Sequence, residues 1–187
     1  MDTLLHVAIG IGLSAAAGFR ILVPFLVAGI AAHQGYLTLS PSMAWMGTTP
    51  AIIAIAVATA LEVLIYCIPV VDNLMDAVEL PAAAIAGTVL TAAVAGGEMN
   101  PFLQWSLAII AGGSVAASTQ AFTGLARLAS TAAAGPVGNI TVSSAELASS
   151  TILSVLSIAV PILVLLIVAV LLFLAFRRRK RRQRWTS

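Results

Sequence analysis

The sequence has few charged residues for its length. Of its 187 residues, 9% are Asp, Glu, Lys or Arg, 60% are hydrophobic, and the mean hydropathy is +1.08. Because soluble domains carry about 25% charged residues, this composition excludes an ordinary soluble protein. The single cysteine, Cys67, excludes an internal disulfide, and His6 and His33 are isolated. Without metal-ligand spacing of Cys or His, we expect no metal and no cofactor.

Recognisable catalytic motifs are also absent. The chain contains no His/Asp pairing, no metal triad and no Gly-x-Ser-x-Gly elbow. We therefore expect that the protein is not an enzyme. The N-terminus, Met1-Asp2-Thr3, has no basic region before its apolar run, so we expect no cleaved signal peptide.

Five hydrophobic segments are present, separated by polar connections: 3–34, 50–71, 80–97, 102–135 and 150–176. A helix crosses a bilayer with about 20 residues, so the first and fourth segments are too long for one straight span. Both contain helix-breaking Gly or Pro. The predicted fold is an all-α membrane protein with about five segments, two of them long and either kinked or re-entrant. We predict a loop at 133–139 and a capped helix start at Ser143 with Glu146.

The order of a long broken segment followed by a simple span occurs twice, in 3–71 and in 102–176, with the small-residue helix 80–97 between them. If 3–34 crosses once, the halves form an inverted repeat, as in many transporters. If 3–34 and 102–135 re-enter, only three segments cross. Residues 1–176 then form one transmembrane domain in either case, and 177–187 form a basic tail.

Seven of the nine basic residues lie in that tail. By the positive-inside rule we expect a cytoplasmic C-terminus. The tail is also expected to contact anionic lipid head groups. A basic cluster directly after a span is a topology signal, so we do not expect nucleic acid to be a partner.

The other two basic residues, Arg20 and Arg127, each lie within a broken apolar segment. A charge in such a segment faces a partner, a cavity or a substrate. Guanidinium groups suit phosphate or carboxylate, so we predict that both arginines bind an anionic substrate. Gly18 and Phe19, at the predicted tip of the first segment, and Gln120 complete this predicted site.

Acidic residues supply the candidate coupling groups. Glu62 lies near the middle of segment 50–71, where it either carries a proton or pairs with an arginine. Asp72, Asp76 and Glu79 share one helical face. That face is either a solvated helix extension or an entry site for a cation or proton. We take Glu62, Asp72 and Asp76 as candidates for proton or cation coupling.

Two runs carry a resemblance to a known family. They are Gly18-Phe19-Arg20 with Pro24, and Glu62 with Pro69, Asp72 and Asp76. In these runs, and at Arg127 and Gly138-Asn139, the chain resembles the domain of unknown function 4126 family. It departs at Gln120, where the family pattern has lysine, and in its basic tail. The resemblance implies a multi-pass protein of the bacterial inner membrane and implies no activity.

These observations lead to two hypotheses about function. The first is a small transporter or flippase for an anionic substrate, such as a phosphate-bearing lipid. Two arginines and one mid-membrane acid, Glu62, leave one positive charge for that anion, unless one of the three acids at 72–79 folds inward. The second is a structural or partner-binding membrane protein in which Arg and Glu form buried ion pairs. Small-residue helices also suit a homo-oligomer.

Overall fold

A computed structural model describes residues 2–65, 69–96, 99–168 and 170, without the side chains at 2, 69–77, 131 and 133–140. In these ranges the chain is helical and contains no strand, which confirms the all-α class. The α-helices are α1 (Asp2–Ala17), α2 (Leu22–His33), α3 (Thr49–Ile65), α4 (Pro69–Ala95), α5 (Pro101–Leu107) and α6 (Ser114–Ala159). A 3-10 helix (Pro41–Gly47) precedes α3, and a π-helix (Ala108–Gly113) joins α5 to α6.

Several described helices have the length and apolarity of membrane spans. Three qualify on their own: Val78–Ala95, Pro101–Ser130 and Thr141–Ala159. A fourth results if Pro41–Gly47 and α3, which meet at a bend of 69°, count as one broken span. These helices are typical of a membrane protein. The predicted count of five segments is not confirmed.

The helices α1 and α2 form a hairpin, because the two ends of the pair lie at the same end of α4. Ser14 contacts Gly87 and, one turn earlier in α1, Gly10 packs against Thr91, so the start of α1 points towards the C-terminal end of α4. Shortly after α2, the backbone N–H of Ser40 donates to the carbonyl of Ala93 at 2.7 Å. Since α1 has 16 residues and α2 has 12, each is shorter than the roughly 20 residues of a full span. Of the two alternatives for segment 3–34, the structure has the hairpin.

The tip of this hairpin, residues 18–21, is held by close packing on α6. A Cβ atom at Gly18 would lie 2.5 Å from the carbonyl oxygen of Ala116, so only glycine permits this approach. The hydroxyl of Thr123 donates to the carbonyl of Gly18 at 3.4 Å. On the other side, the hydroxyl of Ser150 donates to the carbonyl of Ala16 at 3.0 Å.

The small-residue helix α4 packs centrally, against α1, the π-helix and α6. Its contact with α1 includes the hydroxyl of Ser14, which donates to the carbonyl of Gly87 and lies 2.8 Å from the hydroxyl of Thr91. On the other face, a Cβ atom at Gly112 of the π-helix would lie 2.5 Å from the carbonyl oxygen of Gly87. Glycines therefore allow both neighbours to approach α4 at backbone distance.

The helix α6 reverses direction along its length. Arg127 and Glu146 are 19 residues apart yet hydrogen-bonded at 2.8 Å, whereas a straight helix would separate them by roughly 28 Å. We call 114–130 the outgoing limb and Thr141–Ala159 the returning limb. The prediction of a new helix start at Ser143 is wrong, because Ser143 lies inside α6 and Glu146 binds Arg127. The predicted loop at 133–139 is also wrong as a loop, since the backbone there is helical, although the reversal falls in the same region.

The two long segments differ in form. Segment 3–34 is a hairpin, whereas 102–135 runs through α5, the π-helix and the outgoing limb as one candidate span. Ala15 clusters with Val115, and Gly18 packs against Thr119, so α1 and the outgoing limb run in the same direction. The predicted inverted repeat is not confirmed by these directions.

Candidate functional site

Four charged side chains are buried together at the level of the hairpin tip. Arg20 from the tip, Glu79 from α4, and Arg127 and Glu146 from the two limbs of α6 are each only 3–4% exposed. Their contacts tie these segments to one another. Because an isolated buried charge is costly, we regard their convergence as the main feature of the molecule. We call these four residues the ionic cluster.

Arg127 lies at the centre of the ionic cluster. Its Nε donates to Oε1 of Glu146 at 2.8 Å, and its Nη2 donates to Oε2 of the same carboxylate. Its Nη1 donates to Oε1 of Glu79 at 3.3 Å. The planar fork of the guanidinium thus binds one carboxylate at two points and a second at one point.

Arg20 approaches the same carboxylate from the hairpin. Its Nη2 lies 3.8 Å from Oε2 of Glu146 and donates to the carbonyl of Ser143 at 3.3 Å. Glu146 therefore lies between the two arginines that the sequence singled out. Arg20 and Arg127 therefore lie near one another, and each has a carboxylate of the chain beside it.

Glu62 binds the start of α2. Its Oε1 accepts the backbone N–H of Ile21 at 2.9 Å, and its Oε2 accepts that of Leu22 at 3.1 Å. The first amides of a helix have no partner within the helix and lie at the positive end of its dipole. The half-buried Glu62 carboxylate therefore lies where a helix start favours an anion. The first of its two amide donors, that of Ile21, belongs to the residue after Arg20.

Gln120 extends the ionic cluster by a neutral group. Its Nε2 donates to Oε2 of Glu79, so the position at which the resemblance implied a lysine is in direct contact with a buried carboxylate. An ammonium there would add a third positive charge to the site. In this chain the amide supplies the hydrogen bond without the charge.

The formal charge of the site differs from the prediction. Among the described side chains, two guanidiniums face three carboxylates, which are those of Glu62, Glu79 and Glu146. The surplus of one positive charge does not arise, because Glu79 is one of the acids whose inward orientation was the stated exception, and Glu146 also points inward. With all five groups ionised, the sum is one negative charge.

The remaining predicted site residues have other positions. Gly18 lies at the tip, where it packs against α6 and touches no charged group in its nearest contacts. Phe19 is half-buried beside it. The side chains of Asp72 and Asp76 lie outside the described residues, so the predicted coupling role of these two stays a prediction.

Glu79 and Glu146 belong to the site, although the sequence did not predict either as a site residue. Helical periodicity placed Glu79 with the acids at 72 and 76 on a possible solvent face, and the spacing from Ser143 suggested a cap for Glu146. The small number of acidic residues in the chain was the signal that could have identified them. Two arginines buried in apolar segments need carboxylates, and few acidic residues are available in the chain.

Two further features limit the chemistry of the site. No group of three His, Cys, Asp or Glu within the described ranges could hold a metal ion. A separate open groove of about 520 Å³ lies between α4 and the π-helix region, lined by apolar side chains such as Ile85, Trp105 and Ile109. Neither arginine lines it, so this groove belongs to the apolar outer surface.

Comparison with known proteins identifies the family. The profile described as "Domain of unknown function (DUF4126)" matches residues 7–181. The chain therefore belongs to this family over nearly its whole length, in agreement with the resemblance at its Gly18–Pro24 and Glu62–Asp76 runs. No curated protein and no solved structure matched the chain.

Proposed function

We propose that this member of the DUF4126 family is a small membrane transporter or flippase for an anionic substrate, with the buried arginines as the anion site and a membrane carboxylate as the proton-coupling group. The observation that carries the proposal is the convergence of Arg20, Glu62, Glu79, Arg127 and Glu146 at the tip of the α1–α2 hairpin. Half-helices that start inside the membrane supply anion positions in known transporter folds.

The net charge of the site indicates that an anion and a proton would enter together. An anion that joined two guanidiniums and three ionised carboxylates would raise the buried negative charge from one to two. Protonation of a carboxylate offsets this change, so anion entry requires proton entry. Glu62 is the best candidate for that carboxylate, because it is half-buried whereas Glu79 and Glu146 are each 3% exposed.

The substrate class follows from the two arginines. Guanidinium binds carboxylate or phosphate at two points, and the described helices expose many large apolar side chains. A phosphate-bearing lipid and a small soluble anion both fit these properties. A transport assay therefore needs one arm for each.

The purified protein in proteoliposomes tests this proposal. One arm measures uptake of labelled small carboxylates and phosphate under an inward proton gradient, and the other measures the exchange of a fluorescent phospholipid between leaflets. We expect activity in one arm, reduced at least about tenfold by Arg20→Gln, since one lost charged hydrogen bond accounts for that factor. Arg178→Gln makes the same chemical change in the tail and should leave activity unchanged.

The alternative function is a structural or partner-binding protein. The observation that favours it is the two-point contact between Arg127 and Glu146, which neutralises one arginine within the chain. Folded wild-type protein that performs no better than protein-free vesicles in both arms would contradict transport and favour this alternative. Loss of folding in Arg20→Gln, with folding recovered in Arg20→Gln/Glu146→Gln, would also favour it.

A further inference from the structure

The contact of Glu62 with α2 is a carboxylate bound to two successive helix amides. Both oxygens are used, one on Ile21 and one on Leu22, at 2.9 and 3.1 Å. The third residue of α2 is Pro24, which has no N–H. One carboxylate therefore satisfies the two adjacent donors at this helix start. Arg20, the residue that precedes Ile21 in the chain, is 3% exposed.

We propose that Glu62 is a tethered occupant of an anion subsite formed by the amides of Ile21 and Leu22 together with Arg20, and that a substrate oxyanion takes its place when Glu62 binds a proton. This inference rests on the proposed function and assigns its binding subsite. The substrate group is a monoanion with two acceptor oxygens on one atom. Carboxylates and phosphodiesters share this chemistry.

The exchange conserves charge. Before it, the Glu62 carboxylate carries one negative charge at the amides, and after it, the neutral Glu62 carboxylic acid and the bound monoanion carry one negative charge together. No covalent bond other than the O–H bond of Glu62 forms or breaks. One proton therefore enters with each anion, and transport is electroneutral. A dianion would leave the site with an additional buried negative charge.

The element that carries Glu62 is suited to release it. The helix α3 packs chiefly against α2 and the 3-10 helix, while α4 and α6 carry three of the four residues of the ionic cluster, Glu79, Arg127 and Glu146. Exposed apolar residues such as Ile53, Val57 and Leu64 line the outer side of α3. Withdrawal of the Glu62 side chain from the amides thus needs no rearrangement of the Arg127 contacts. Among the described side chains, the charged groups close enough to act electrostatically on Glu62 are Arg20 and Glu79.

Chemical rescue tests the subsite directly. In Glu62→Ala the two amides lose their carboxylate, and formate is small enough to replace it. We expect formate to raise the unfolding temperature of this variant by about 4 °C at tenfold over its dissociation constant. The wild type, whose subsite is filled at pH 7.5, should show no formate-dependent shift. Thr59→Ala is the matched control, because Thr59 lies one turn earlier on α3 and its hydroxyl donates only to Ile55.

Further ligands separate the sources of the anion. Rescue by formate alone supports a carboxylate substrate, whereas rescue by dimethyl phosphate as well supports a phosphodiester lipid. Equal rescue by sulfate would overturn the charge-matched exchange. Absence of rescue by every anion in a folded Glu62→Ala protein would overturn the subsite itself.

The same samples distinguish this inference from the proposed function. Formate rescue without any wild-type transport in proteoliposomes would leave the subsite intact and contradict transport. Wild-type transport whose rate does not depend on the proton gradient, or that generates a membrane potential, would contradict the exchange at Glu62 and leave transport intact. We expect formate rescue, and electroneutral transport that Glu62→Gln uncouples from the proton gradient.

Discussion

Arg127 and Glu146 bind each other at two points across the two limbs of α6. Their pairing fixes the reversal of that helix and brings Glu146 within 3.8 Å of Arg20. The same contact therefore determines the path of the chain and the composition of the site. Substitutions at Arg127 and Glu146 can measure how much this contact contributes to the free energy of unfolding.

The Arg127–Glu146 pair should respond much more strongly to the loss of one partner than to the loss of both. Removal of one member of a buried ion pair costs about 3–5 kcal/mol, because the other charge is left uncompensated. We expect this loss for Arg127→Met and for Glu146→Gln, and a clearly smaller loss for the double variant. Reversible unfolding of the detergent-solubilised protein measures all three. Additive losses would contradict an energetic coupling between the two residues.

Gly18 should not tolerate a methyl group. Its Cβ would meet the carbonyl of Ala116 at 2.5 Å, so Gly18→Ala should destabilise the protein by about 1–3 kcal/mol. Gly124 has no neighbour within 4 Å of its Cβ position, and it lies inside α6. Gly124→Ala should stabilise the protein by about 0.8 kcal/mol through helix propensity. Equal effects of the two variants on thermal unfolding would rule out close packing at the hairpin tip.

The hairpin predicts the sidedness of its two ends. In a Cys67→Ser background, Leu4→Cys and Thr38→Cys should react with a membrane-impermeant maleimide from the same side, since both native residues are exposed at the open end of the hairpin. Ala132→Cys, at the reversal of α6, should react from the opposite side. Labelling of intact and permeabilised cells gives the result. Labelling of positions 4 and 38 from opposite sides would show that segment 3–34 crosses.

Substitution of Gln120 should reveal the formal charge of the site. Gln120→Glu would place another carboxylate beside Glu79, and we expect it to cost about 3 kcal/mol, as for an uncompensated buried charge. Gln120→Lys would balance three carboxylates with three cations and should unfold no earlier than the wild type. Thermal unfolding at pH 7.5 compares them. If the lysine variant is as unstable as the glutamate variant, the sum of charges does not control stability here.

The sequence allowed the fold class and three of the five charged residues of the site to be predicted. Arg20, Arg127 and Glu62 stood out because ionisable groups in apolar segments are costly and rarely accidental. The hairpin remained one of two alternatives, because a 32-residue segment with a break in its middle satisfies the length of a kinked span and of two half-helices equally well.

The other two, Glu79 and Glu146, depended on tertiary contacts that local patterns do not contain. Glu79 follows the same helical period as two other acids, and that period does not say which face of α4 meets α6. Glu146 matched a capping spacing, whereas its partner Arg127 is 19 residues earlier, across a reversal. The backbone of α6 stays helical through that reversal, so a Gly- and Pro-containing stretch that indicated a loop was helical instead.

The π-helical turn at Ala108–Gly113 contains no charged residue, yet it sets the angular phase of the outgoing limb. A π-helix closes its hydrogen bonds one residue further along than an α-helix, and each α-helical residue adds about 100° of rotation. If the same residues were α-helical instead, the extra residue would rotate Gln120 and Arg127 together by about 100°, away from Glu79 and Glu146. Deletion of one residue from the π-helical turn should therefore leave the ionic cluster in place, whereas deletion of one residue from the regular α-helix between Ser114 and Gln120 should behave like the loss of Arg127.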